Sequence, residues 1–200
     1  MIGYGYYSLK LYHNRINNKI DFAFDSIDAT KADYININGT YKTIGGQFDV
    51  IYRFHPRFKF TAGVNYYGNS KLALLNEYTF TPDFVSSANY HNLKYNFRIN
   101  LYWKRNGKKS QFINTSEDGE DVIKEQFLAS YNMMDITISR PFFEDRLDVA
   151  LGVKNLFDNK RIDGNGGVSS APHSGGGQNQ SSIAWGRTVF AKLSININNY

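Results

Sequence analysis

Apolar and polar residues alternate in several stretches of this chain, and this period of two limits the fold more than any other feature. In residues 93–103, apolar side chains occupy the odd positions and mostly polar side chains the even ones. The pattern recurs in residues 48–54, 58–67, 147–153 and 189–197. Because successive side chains of a β-strand point to opposite faces, each segment has one apolar and one polar face. The chain is therefore predicted to be all-β.

The connections between these segments alternate in length. Less regular strands are expected near residues 4–24, 109–115 and 127–140, which gives about eight strands in all. Short connections are predicted at residues 55–57, 104–108 and 143–146, and long ones at 71–88, 116–126 and 159–184. Outer membrane strands have short periplasmic turns and long extracellular loops. The predicted fold is a set of antiparallel transmembrane β-barrel strands, with a soluble two-layer sandwich as the alternative.

The composition agrees with strands that separate lipid from water. The chain has 15 Tyr and 15 Phe but no Cys, and its mean hydropathy is −0.47. Charged residues occupy the polar phase, as a wet lumen allows: Lys10, Lys94, Arg98, Asp148, Lys154 and Lys192. The basic cluster Lys104, Arg105, Lys108 and Lys109 is short. It is interpreted as a solvated turn, and nucleic acid is not an expected partner.

Two segments resemble a known family of receptors. Residues 147–159, LDVALGVKNLFDN, resemble the penultimate strand of TonB-dependent receptors. Residues 185–194, WGRTVFAKLS, resemble the opening of the last strand of that family. The two phrases stand in the order found in the family, with a loop between them. Residues 11–20 and 34–46 resemble two earlier strands, so the resemblance extends over nearly the whole chain.

This resemblance implies a location and a function. Receptors of the family are 22-stranded barrels of the Gram-negative outer membrane with an N-terminal plug. Residues 1–200 would be the C-terminal barrel region, without the plug. The intact receptor would take up a scarce nutrient such as siderophore-bound iron, haem, cobalamin or a glycan. Its partners would be outer membrane lipids, an extracellular small ligand and, through the missing N-terminal region, the TonB complex.

The residues of the two phrases are expected to have structural roles. They are Gly152, Asn155, Leu156, Phe157, Gly186, Arg187 and Phe190. The period of two breaks at Asn155, which predicts a bend or bulge there. Gly186 suits a position with unusual backbone angles, and Arg187 is expected to reach headgroups or loop carboxylates.

No catalytic, cofactor or metal motif is found, and the chain is not expected to be an enzyme. The four histidines, His13, His55, His91 and His173, share no motif. Only His173, in the glycine-rich last loop, is a candidate ligand contact, for haem or another metal-bearing ligand. The acidic run at residues 117–121 and the segment 163–167 are interpreted as solvated loops in preference to Ca²⁺ sites.

Two further functions remain open from the sequence. The first is a complete eight-stranded barrel with a structural or adhesive role, because eight strands can close around a core of side chains. The second is a hydrolase embedded in a barrel, which would need a convergent Ser/His or Asp/His set. Tyr200 is aromatic but lies in the polar phase of the last strand, out of step with the usual C-terminal signal for insertion.

Overall fold

The computed structural model describes residues 3–25, 31–71, 77–117, 119–165, 180–182 and 185–197. These residues form twelve β-strands, and none of them belongs to a helix long and apolar enough to cross a membrane. The strands are β1 Tyr4–Asp25, β2 Ala32–His55, β3 Phe58–Ser70, β4 Tyr78–Asn92, β5 Phe97–Asn106, β6 Lys109–Glu117, β7 Glu120–Leu128, β8 Tyr131–Phe142, β9 Leu147–Lys154, β10 Arg161–Asn165, β11 Gln180–Ser182 and β12 Thr188–Ile195. The prediction of an all-β chain is confirmed.

The strands belong to one sheet in the order β11-β10-β7-β6-β1-β2-β3-β4-β5-β8-β9-β12. From β1 to β12, eight of them form a continuous antiparallel meander, here called the wall. The other four, β6, β7, β10 and β11, lie within the two longest connections of the wall. The predicted total of about eight was too low because β4, β7, β10 and β11 lie in segments that were assigned to loops, whereas β6 was predicted near residues 109–115. Among the described residues the sheet does not close on itself.

Strand pairing places the alternating apolar residues of the wall on one face. Directly paired residues of an antiparallel sheet point to the same side. One apolar row crosses all eight wall strands: Gly5, Tyr52, Phe60, Ala88, Leu101, Ile136, Val153 and Val189. A polar row crosses the opposite face: Tyr4, Arg53, Lys59, Asn89, Asn100, Thr137, Gly152 and Phe190. Side chains of the apolar face are widely exposed, for example Leu151 at 59% and Val189 at 76%.

Loop lengths alternate as expected, but some of the predicted positions were wrong. The short turns are at residues 56–57, 93–96 and 143–146, all at one end of the wall. Residues 93–96 were predicted to begin a strand, with Lys94 in its polar phase. Instead Asn92 Oδ1 accepts a hydrogen bond from Tyr95 N at 3.1 Å, and Asn96 has φ of 47°, a left-handed conformation that asparagine tolerates. The wall therefore turns before β5.

All three predicted long loops contain strands, and residues 159–184 include β10 and β11. Residues 71–88 were assigned to a loop, but β4 begins at Tyr78. Pro82 lies beyond Phe84, where the pairing of β4 with β5 ends, so the N–H that proline lacks is not needed by β5. Residues 104–108 were assigned to a short turn, yet they lead from β5 into the β6–β7 hairpin at the long-loop end. Residues 116–126 include most of β7, which pairs with β6 around Gly119.

The strands β1 and β2 extend well past the rest of the wall. They have 22 and 24 residues, whereas 9 to 11 suffice to cross a bilayer. The pairing shifts between Asn17 and Lys19, where Asn18 has φ of 51°. Beyond this bulge, the tip of β1 pairs in parallel with β6, Ala23 opposite Phe112. We call residues 16–25 and 32–41 together with β6 and β7 the outer extension.

Buried apolar residues are concentrated in the outer extension. Ala23, Ile37, Tyr41 and Phe112 form a cluster in which each side chain is at most 6% exposed, and Ile35 packs against it. Ile113 beside it is also buried. Apart from Pro141 on β8, no other apolar side chain that the structure describes is buried. The apolar side chains of the wall are thus mostly exposed on one face of the sheet, whereas those of the outer extension are buried in a cluster.

Candidate functional site

The phrase NLFDN, which follows β9, forms a junction that ties three strands together. Asn155 is 2% exposed and has φ of 51°, so the chain leaves the strand direction at this residue. Its backbone N donates to Asp135 Oδ1 on β8 at 2.8 Å. The N of Leu156 donates to the Met134 carbonyl at 2.7 Å. These bonds fasten the end of β9 to β8.

The side chain of Asn155 closes the loop that it begins. Its Nδ2 donates to the Asn159 carbonyl at 2.8 Å, and its Oδ1 accepts a hydrogen bond from Asn159 N at 3.1 Å. Asn159 Nδ2 in turn donates to the Asn132 carbonyl at 2.5 Å. A buried amide that uses both its donor and its acceptor avoids the cost of an unpaired polar group. Phe157 remains 49% exposed.

The start of β12 completes this junction. The N of Arg187 donates to Asp158 Oδ1 at 2.7 Å, and Arg187 Nε donates to the Leu156 carbonyl at 3.1 Å. The backbone hydrogen bond from Arg187, assisted by the ammonium of Lys160, lowers the pKa of the Asp158 carboxyl. Arg187 was expected to reach a loop carboxylate. It does so through its backbone N, whereas its guanidinium donates to a backbone carbonyl.

Two glycines allow this close packing. Gly186 has φ of 90°, and a Cβ there would lie 2.8 Å from Asp158 Oδ1. Gly152 pairs with Phe190. The ring of Phe190 covers this glycine so closely that a Cβ on Gly152 would lie only 2.5 Å from a ring carbon. Placing an aromatic ring over a strand glycine covers exposed backbone. The seven motif residues thus belong to one contiguous joint between β8, β9 and β12.

Several members of the joint were not identified from the sequence. Asp135, Asn132 and Met134 lie on β8, and their role depends on the pairing of β8 with β9. No local motif marks them. Asp158 and Asn159 stood within the phrase, and their side chains could have been identified as loop-closing groups from the preference of Asn and Asp for bonding to nearby backbone.

The polar face of the wall carries a network of hydrogen-bonding side chains. Tyr12 OH donates to Asn65 Oδ1 at 2.9 Å across Gly45, and Gln47 Nε2 donates to Asp49 Oδ2 at 2.8 Å. Two charged residues of the face, Arg98 and Asp148, approach to 3.5 Å. Lys10, Lys154 and Lys192 lie in the same phase. This surface suits contact with water or a polar ligand and would be costly against lipid.

The histidines do not converge in the described parts of the chain. His13 lies on the apolar face, His55 Nδ1 accepts a hydrogen bond from Arg57 N at 3.2 Å, and His91 Nε2 is 3.2 Å from Asn96 Oδ1. His173, the candidate ligand contact, lies outside the described residues, as do Asp118 and residues 166–167 of the two acidic segments. The described residues contain no group of three or more His, Asp or Glu side chains placed to hold a metal.

Comparison with known proteins identifies the family at a coarse level. The model of the outer membrane protein beta-barrel family matches residues 2–174. No curated protein matches the chain, and no solved structure does. The family match extends from β1 through β10 and includes NLFDN.

Proposed function

Because this chain belongs to the outer membrane protein beta-barrel family, its strands cross the outer membrane, and we propose that they are the C-terminal barrel wall of a TonB-dependent receptor. In the intact receptor the wall would take part in uptake of a scarce nutrient: siderophore-bound iron, haem, cobalamin or a glycan. A plug in the N-terminal region would contact TonB. We expect no enzymatic activity and no cofactor.

The observation that carries the proposal is the pair of open edges of the wall. Among the strands that the structure describes, β1 pairs with β2 and otherwise only at its tip, through Ala23, Phe24 and Asp25. β12 pairs only with β9 among the described strands. Inside hydrocarbon every backbone N–H and C=O must be hydrogen-bonded, and each unpaired group costs several kcal/mol. Both edges therefore need a partner strand, and the further strands of a larger barrel would supply one to each edge.

The joint after β9 gives independent support. It contains the residues of the two phrases that resemble TonB-dependent receptors, and it holds the outer ends of β8, β9 and β12 at the mouth of the wall. A rigid joint at the base of the last long loop would position that loop above the lumen. The ligand itself is left open by these residues.

The alternative is a complete eight-stranded barrel with a structural or adhesive role. It would require β1 and β12 to pair with each other, and the charged polar face would then fill a closed interior. The network of Tyr12, Asn65, Gln47 and Asp49 is the feature that favours it, since a packed interior needs such bonded groups.

One chromosomal tag separates these two functions. An epitope inserted after Gly119, whose surroundings are open, would mark the protein in its own outer membrane. We expect a tagged species far larger than the 22.9 kDa of this chain. We also expect deletion of TonB and deletion of the tagged gene to cause the same growth defect on one member of a panel of siderophores, haem, cobalamin and glycans. A tagged species near 22.9 kDa would favour the small barrel. A large species with no shared defect would refute nutrient uptake.

A further inference from the structure

A groove opens on the apolar face of the wall where β4 separates from β5. Its volume is about 370 Å³. The residues that matter for its chemistry are Phe80, Pro82, Phe84, Arg105, Lys108 and Ser130. The three β4 residues stand at alternate positions and so share the lipid-facing side. The groove combines an apolar surface with two basic side chains.

The apolar part of the groove is held in place by its neighbours. The ring of Phe80 stacks on Tyr66 with centroids 5.3 Å apart and an interplanar angle of 14°. It also covers Gly68, with a ring atom 2.7 Å from the position of a Cβ. Because the ring is packed against Tyr66 and Gly68 on β3, it offers a preformed surface, and an apolar chain that binds there orders few side chains.

Arg105 is a cation on the mainly apolar face of the wall. It pairs directly with Phe84, and the same row continues through Val64, Phe48 and Leu9. It is exposed and makes no salt bridge with any residue that the structure describes. It lies eight positions after Phe97, the first residue of β5. At the usual rise and tilt this is about 20 Å above the short turns, near the outer limit of an apolar band about 25 Å tall.

The backbone next to Arg105 is pinned so that Lys108 stays at the groove. The N of Gly107 donates to Asp83 Oδ1 at 2.7 Å, and Thr81 Oγ1 donates to the Lys108 carbonyl at 2.8 Å. A Cβ on Gly107 would collide with Thr81 and the Pro82 carbonyl, so only glycine permits this approach. Two basic groups are thereby held beside an apolar surface at the level of the lipid headgroups.

We propose that this groove binds a phosphorylated lipid of the outer leaflet, with an acyl chain against Phe80, Pro82 and Phe84 and the phosphate on Arg105 and Lys108. A guanidinium matches phosphate geometry with two hydrogen bonds, and the Ser130 hydroxyl is a further donor. The anion also removes the cost of leaving an unpaired cation at this depth. The inference rests on the membrane location of the chain and does not depend on nutrient uptake.

The test uses the full-length protein purified from its own outer membrane, delipidated in mild detergent and followed by native mass spectrometry. Phosphatidic acid, diacylglycerol and inorganic phosphate are the three probes. We expect phosphatidic acid to bind more tightly than either of the others, because only it has both a phosphate and acyl chains. Replacing Arg105→Gln together with Lys108→Gln should weaken its binding about tenfold or more, as expected for loss of two charge-assisted contacts.

The matched control is Lys104→Gln, which removes a charge one residue away on the polar face and should leave lipid binding unchanged. Arg105→Lys keeps a cation but loses the paired hydrogen bonds of the guanidinium, so it should weaken binding by less than the double variant does, and it is the informative variant if the double variant does not insert. Equal weakening by Lys104→Gln would overturn the site. Equal affinities for phosphatidic acid and diacylglycerol would also overturn the proposal, because the phosphate would then contribute nothing. Equal affinities for phosphatidic acid and free phosphate would overturn the lipid assignment and leave a general anion site.

Discussion

The wall and the outer extension use the same strands in opposite ways. In the wall, apolar residues such as Leu101 and Leu151 lie on an outer face, and the inner face is polar. In the outer extension, Ile37 and Phe112 turn inward and are 4% exposed. Both β1 and β2 run through the two regions without interruption. The solvent around each part of the strand decides which face is apolar: lipid surrounds the wall, and water surrounds the extension.

The transition occurs at a single irregularity. Asn18 on β1 and Gly39 on β2 both have positive φ, 51° and 98°. The pairing of the two strands shifts by one residue at this point, from Asn17 opposite Thr40 to Lys19 opposite Ile37. An extra residue in one strand of a pair alters the phase of side chains relative to the faces. After the bulge, Lys19 lies opposite Ile37, and its ammonium is 4.2 Å from the Tyr41 ring centroid. The bulge thus brings Ile37 to the buried cluster.

The largest effect is expected from opening a cavity in the outer extension. Replacing Phe112→Ala removes a ring from the cluster of Ala23, Ile37 and Tyr41 and should cost about 3–5 kcal/mol of local stability. Hydrogen exchange of residues 32–41 in outer membrane vesicles should accelerate accordingly. Leu151→Ala is the control, because lipid chains fill the space that it leaves and no cavity forms. Similar acceleration around both sites would mean that the two regions do not differ in this way.

A charge placed on each face of one wall strand sharpens the comparison. Leu101→Arg puts a cation on the lipid side, four residues from the start of β5 and close to the middle of the bilayer. The expected cost is about 2–4 kcal/mol. Asn100→Arg, on the neighbouring residue of the opposite face, should be nearly neutral because water is available there. The midpoint of urea unfolding in lipid vesicles measures both, and the reverse order would show that the faces are assigned the wrong way round.

The features of this molecule that depend on one short segment could be predicted from the sequence, and those that depend on pairing between distant segments could not. Alternation is local, so the two faces of β5, β9 and β12 could be predicted from their own residues. The turn at 93–96 was hidden because Leu93 and Tyr95 continue the alternation into it, although Asn92 and Asn96 are typical turn residues. The bonds of Asn155 to Asp135 and of Leu156 to Met134 join residues about twenty positions apart. They depend on the register of β8 and β9, which no single segment contains.

The smallest effect that still separates the two regions is an alkaline transition confined to the outer extension. Burial, together with the nearby carboxylates of Glu125 and Asp21, raises the pKa of Tyr41 to about 12, from an ordinary value near 10. Because the folded-state pKa is the higher one, the neutral phenol stabilises the extension fully below pH 10, and this contribution is lost as pH rises from about 10 to 12. A shift of this size corresponds to about 2–3 kcal/mol. Hydrogen exchange between these pH values should rise in residues 32–41 while that of β9 follows only the intrinsic base dependence. Tyr41→Phe should abolish the extra rise, since it keeps the ring and removes the ionising group. If the variant shows the same transition as the parent, ionisation of Tyr41 is not its cause and the extension depends on another group.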